Sequence, residues 1–76
     1  MPNELTIIFE PGDSGGWIAT IPEFPGAFSQ GRTKDEAREN VLDALAELMA
    51  ARRELALREK GAAAETETVP LAPSAR

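Results

Sequence analysis

At 76 residues and a formal net charge of −5, the chain has room for one small domain, and its acidic balance argues against non-specific nucleic-acid binding, which needs phosphate-neutralising Lys and Arg. It contains no Cys and no His, which removes disulfides, thiolate metal sites and His-dependent catalytic triads. A chain this short buries only roughly 60% of the surface its unfolded form exposes, so with those staples missing, oligomerisation or a bound partner is the remaining common source of buried apolar area.

The first predicted strand is ELTIIFE, residues 4–10, where Leu5, Ile7 and Phe9 alternate with Thr6, Ile8 and Glu10. Because Ile8 is apolar too, the second face of this strand is expected to be partly covered. PGDSGG, residues 11–16, reads as a turn, and WIATI, residues 17–21, as the returning strand of an antiparallel hairpin. A Gly-rich loop of this kind cradles phosphate only when a helix follows, and here a strand follows. After the Pro-Gly stretch PEFPG comes a short third strand, AFSQ, residues 27–30.

The helix has the clearest signals. Thr33 is a good N-cap and Glu36 stands three residues on, completing a capping box. No Gly or Pro interrupts Lys34 to Lys60, and Gly61 stands at the natural C′ position. Ala37, Val41, Ala44, Leu45, Leu48 and Leu55 form one stripe at 100° per residue, widened by Leu42, Met49 and Ala56. The opposite face carries Glu36, Glu39, Asp43, Glu47 and Glu54 as an acidic ridge, with Glu54 and Arg58 placed for an i, i+4 pair. A helix of that length is about twice as long as the strands. Its distal part, with Leu48, Leu55 and Ala56, is therefore expected to project past the sheet and to offer an oligomer contact. Residues 1–61 are expected to form the domain. Residues 62–76 form an Ala-, Thr- and Pro-rich tail in which ETETVPL has two readings, a fourth edge strand or an unstructured segment.

No run approaches the roughly 18 apolar residues of a membrane span, and MPNELTIIFEP has no basic n-region, so the default compartment is the cytoplasm. Catalysis would have to start from carboxylates. Glu10, Asp13, Glu23 and Asp35 lie near strand ends or loops, where a cluster can hold Mg²⁺, but no spacing selects them over ordinary solvated charge. Ser14 and Ser29 lack a His partner. The chain reads as a non-enzymatic binding protein without cofactor. The acidic ridge has a plain reading as a solvated helix face and a sharper one as a docking surface for a basic protein. Trp17 has a plain reading as core, and a sharper one as an interface anchor if it lies on an open face of the sheet.

The stretch GGWIATIPEFPGAFSQGRTKDEARENVLDAL brings a set of residues into a fixed order: Gly16 and Trp17, then Pro22, Pro25 and Gly26, then Gly31, Thr33, Glu36 and Ala37, then Asn40. In that order and spacing the set resembles the HicB-like antitoxin family, over roughly residues 4–50. The resemblance implies a β-β-β-α core resembling a partial RNase H fold, often with one more strand. It also implies pairing with HicA, a small basic toxin that cleaves mRNA, with the antitoxin covering the toxin's active site. About 15 residues follow Gly61, too few for the C-terminal DNA-binding domain many family members carry, so direct operator binding is not expected. The motif residues themselves read as structural, the joint between strands and helix. Partner binding is expected at Glu36, Glu39, Asp43 and Glu47, with Trp17. The alternative is a stand-alone oligomeric module of the same family with no toxin.

Overall fold

The computed structural model describes residues 4–70. Four elements follow in chain order: β1 (Ile8–Pro11), β2 (Trp17–Thr20), β3 (Phe28–Gly31) and α1 (Lys34–Glu59). The strands form one antiparallel sheet in the order β1-β2-β3. One long helix lies across a single face, mainly over β3 and β2. This is the expected α+β arrangement of three antiparallel strands and a helix.

The strands are shorter than their patterns. β1 starts at Ile8 rather than Glu4, and the reason lies in its partner. In the register that pairs Ile8 with Thr20, Thr6 would face Pro22, which has no N–H to give and which turns the chain away. The ladder is continued by a side chain instead: the Thr6 N–H donates to both carboxylate oxygens of Glu23, at 3.0 and 3.2 Å, and its hydroxyl donates to the same carboxylate at 2.6 Å. β2 ends at Thr20 and β3 is shifted by one, to Phe28–Gly31. Between them, PEFPG makes two successive turns, with Phe24 N–H donating to the Ile21 carbonyl and Ala27 N–H to the Phe24 carbonyl, each at 3.0 Å. A proline follows the first residue of each turn. In the second, Gly26 occupies the next position at φ +98°, the arrangement of a type II turn.

The core is small and made largely of small residues. Ala19 and Ile21 from β2 and its end, Ala27, and Ala37, Val41 and Leu45 from α1 are buried, rimmed by Ile7, Phe9, Trp17, Phe24 and Leu48. Alanines and glycine let the helix come close. A Cβ on Gly31 would stand 2.5 Å from the Ala37 nitrogen and 2.8 Å from the Glu36 carbonyl carbon, and one on Gly16 would stand 2.5 Å from the Gly31 carbonyl oxygen. Gly16, Gly31 and the first turn of α1 therefore stack backbone on backbone. Gly31 does not merely release the third strand, as its place before the helix suggests; it is the floor on which the helix begins.

α1 runs unbroken for 26 residues, about 39 Å at 1.5 Å per residue. Thr33 caps it as expected, its hydroxyl accepting the Glu36 N–H at 3.0 Å. The return half of the capping box is displaced by one residue: Glu36 Oε1 accepts from the Arg32 N–H at 2.6 Å. The C-terminus departs from expectation, since Gly61 has no positive φ and the helix ends with Lys60 in extended conformation. Residues 61–70 are exposed and form no strand, so among the described residues ETETVPL adds no fourth strand; its Leu71 lies outside them.

The face of the sheet away from α1 carries Ile8, Glu10, Ile18, Thr20, Phe28 and Gln30, by the pairing register. The partial cover expected for Ile8 is not found. Ile8 is 44% exposed and Phe28 65%, and no second layer lies there among the described residues.

Candidate functional site

Five residues of the ordered motif meet at one end of the sheet, away from the Pro22–Gly26 turn. Gly16, Trp17, Gly31, Glu36 and Asn40 line an open depression of about 610 Å³ beside the Gly12–Gly16 turn. Each has a structural task there. Gly16 and Gly31 allow the close approach described above, and Glu36 holds the Arg32 N–H. The Asn40 side chain donates to the Gln30 carbonyl at 2.8 Å. Thr33 caps the helix, Ala37 is buried in the core, and Pro22, Pro25 and Gly26 shape the turn.

Trp17 lies on the helix-covered face of the sheet, opposite Gly31 and Pro11. It is half-buried and packs against the core, with Lys34 Nζ 4.8 Å from its ring centroid, a cation–π contact. It is thus not on the open face, where an interface anchor was to be sought. The open face presents Phe28 and Ile8 instead. The sequence carried a signal for this. In AFSQG the small residues Ala27, Ser29 and Gly31 alternate with Phe28 and Gln30, and a helix packed close selects the small set for its own side.

The ridge carboxylates Glu36, Glu39, Asp43 and Glu47 are all exposed. Glu36 is committed to the helix cap, which leaves Glu39, Asp43 and Glu47 as the outward part. The expected Glu54–Arg58 pair forms at 3.9 Å and is well exposed; it is the one ion pair among the described residues.

The distal helix is only partly an overhang. Leu48, expected to project past the sheet, packs against the core and lies 3.7 Å from where a Gly26 Cβ would be. Arg52 donates to the Pro25 carbonyl at 3.1 Å, so α1 stays tied to the β2–β3 turn through that position. Leu55 and Ala56 are exposed beyond it, as are all residues from 51 to 60. Among the described residues no three Asp or Glu side chains stand close enough to hold a metal ion, so Glu10, Asp13, Glu23 and Asp35 are not brought together. Nor is any helix among them long and apolar enough to cross a membrane.

The titration of the Glu23 carboxylate is displaced. The Thr6 hydroxyl and then the Thr6 N–H favour its charged form and hold it below the ordinary range.

No family model matches the chain, and no solved structure does. Curated relatives do. The chain is 44% identical over 39 residues to antitoxin HicB 1 of Photorhabdus laumondii, a stretch covering 51% of this chain and 25% of that protein. It is 38% identical over 42 residues to a UPF0150 protein of Thermoplasma acidophilum, covering 55% and 61% of the two chains. It is 44% identical over 45 residues to a UPF0150 protein of Synechocystis, covering 59% and 62%. The matched stretch thus spans about a quarter of the HicB antitoxin and about three fifths of each UPF0150 protein. These relatives, one carrying the HicB antitoxin name, bear out over more than half of this chain the HicB-like likeness that its ordered motif carries.

Proposed function

We propose that this chain is an antitoxin-type protein that binds a HicA-type, basic, mRNA-cleaving toxin and silences it by covering its active site. The observation that carries the reading is the identity shared with a HicB antitoxin. The fold adds an exposed acidic flank, Glu39, Asp43 and Glu47, on a chain of net charge −5. In this reading the protein has no catalytic step of its own. Its work is steric occlusion, with the ridge attracting a basic surface and raising the encounter rate.

The test is the association rate with a HicA-type basic ribonuclease, measured at several salt concentrations. The rate is expected to fall steeply as salt rises, and Glu39→Lys with Asp43→Lys and Glu47→Lys is expected to lower it about 10-fold or more at low salt. A rate indifferent to both salt and charge reversal removes the ridge from the docking surface.

A second reading is a stand-alone oligomeric module of the same family, which the exposed distal helix, with Leu55 and Ala56, leaves room for. A stable assembly of this chain alone, unaffected by the ridge reversals and accompanied by no ribonuclease binding, is its signature.

A further inference from the structure

We infer that the outer edge of β1 seats a second copy of this chain, pairing β1 with β1 antiparallel about Phe9 to give one continuous six-stranded sheet.

The two edges of the sheet are not alike. On β3, the Ile21 N–H donates to the Ala27 carbonyl, which fixes Ala27, Ser29 and Gly31 as the residues bonded to β2. Phe28 and Gln30 therefore turn their backbone groups outward. Helix side chains take up part of that edge: Asn40 holds the Gln30 carbonyl and Glu36 the Arg32 N–H just beyond the strand. On β1, the Gly12 N–H donates to the Gly16 carbonyl and the Thr6 N–H to Glu23. That places Ile8 and Glu10 inward, so the N–H groups of Ile7 and Phe9 and the carbonyls of Ile7, Phe9 and Pro11 point out. No side chain among the described residues reaches them. Edges of this kind are a template for another strand.

The outward groups of β1 are self-complementary. With Phe9 on a two-fold axis, the Phe9 N–H of each copy meets the Phe9 carbonyl of the other, and each Ile7 N–H meets a Pro11 carbonyl. The donor that Pro11 lacks falls at the ends of the pairing, where the facing Ile7 carbonyl turns to water. Ile8 of one copy then stands opposite Glu10 of the other on the bare face, so the two Glu10 carboxylates are diagonal rather than directly opposed.

Charge favours a second copy over a basic partner at this edge. β1 carries a single charge, Glu10, so it offers little to attract a basic surface. The acidic ridge lies on the other flank of α1: Glu36 and Asn40 reach the edge of β3, and Glu39, Asp43 and Glu47 share their side of the helix. Two chains of like net charge can thus meet at β1 with their ridges turned apart. Because the pairing uses the same edge of both copies, it closes as a dimer rather than running on as a fibre. A core in which Ile21 and Val41 are the largest fully buried side chains gives the small domain reason to add to its sheet. The inference does not rest on the toxin-binding reading, and the two surfaces do not compete.

The test uses Ile8→Cys and Glu10→Cys as two separate single variants of the full chain, which has no native cysteine. Both side chains lie on the bare face, outside the core. Mixed under mild oxidation, the two variants are expected to give a covalent dimer on a non-reducing gel, since positions 8 and 10 face each other across the axis. Each variant alone is expected to give little, because its own two cysteines sit diagonally, beyond the roughly 7 Å between Cα atoms that a disulfide spans. Sedimentation of the unaltered chain is expected to show a dimer. A monomer by sedimentation, or cross-linking no better in the mixture than in the single variants, overturns the inference.

Discussion

Glu23 shows how one side chain stands in for a missing strand partner. Its carboxylate accepts the Thr6 N–H and hydroxyl where Pro22 has ended the ladder, and those bonds lower its titration below the ordinary range. A carboxyl whose folded value is depressed adds stability that is present above its unfolded value and lost as pH falls through the folded one. Acid unfolding is therefore expected to include a contribution at and below the ordinary Glu range, and Glu23→Gln should flatten the stability profile there while leaving the slope near neutrality unchanged. Thermal unfolding of both proteins across acidic pH checks this; equal slopes would remove Glu23 from the acid response.

Gly26 and Asn40 make separable claims. Gly26→Val places a β-branched residue at φ +98°, which costs of order 1–3 kcal/mol in a domain whose total stability is only a few kcal/mol; loss of the folded far-ultraviolet signal is expected. A folded Gly26→Val protein that had lost only its partner would place the binding site in this turn instead. Asn40→Ala removes one hydrogen bond, about 1 kcal/mol by denaturant titration, and frees the Gln30 carbonyl at the edge of β3.

At the level of elements, the helix was the most legible part of the chain and its interior the least. Thr33, Glu36 and an uninterrupted run to Lys60 announce both its start and its length, since caps and breakers act locally. What the run does not reveal is where the sheet stops beneath it. That depends on the β2–β3 turn reaching back to Leu48 and Arg52, a contact between positions more than twenty apart. Leu48 and Leu55 share a stripe on the helical wheel, yet only Leu48 has anything to pack on. Leu45→Ala should accordingly cost about 2–5 kcal/mol, whereas Leu55→Ala should stay within about 0.5 kcal/mol. Urea midpoints compare the two, and a large loss at Leu55 would mean that another chain covers the helix end.

The strands were legible in number, order and sense, but not in extent. Alternation marks residues 4–10 as strand-forming, while Pro22 denies the first of them a partner. Trp17 illustrates a different limit. Its pattern places it on one face of β2 together with Ala19 and Ile21, but which face the helix takes is decided by the small residues of β3. Ala27, Ser29 and Gly31 make room for the helix, and Phe28 is left outside.

For the whole molecule, an acidic helix flank, a bare sheet face and an open β1 edge lie around a core too small to account for all the exposed apolar surface. One relative carries the HicB antitoxin name, and the proposed function follows from that likeness. The ridge reversals at Glu39, Asp43 and Glu47 address how a partner arrives; what happens once it has arrived is a question of inhibition. The most direct measurement is mRNA cleavage by a HicA-type basic ribonuclease with increasing amounts of this protein. Cleavage is expected to stop near one equivalent of chain per ribonuclease and to return when the ridge is reversed. Undiminished cleavage in the presence of a large excess of the folded protein would contradict the antitoxin reading.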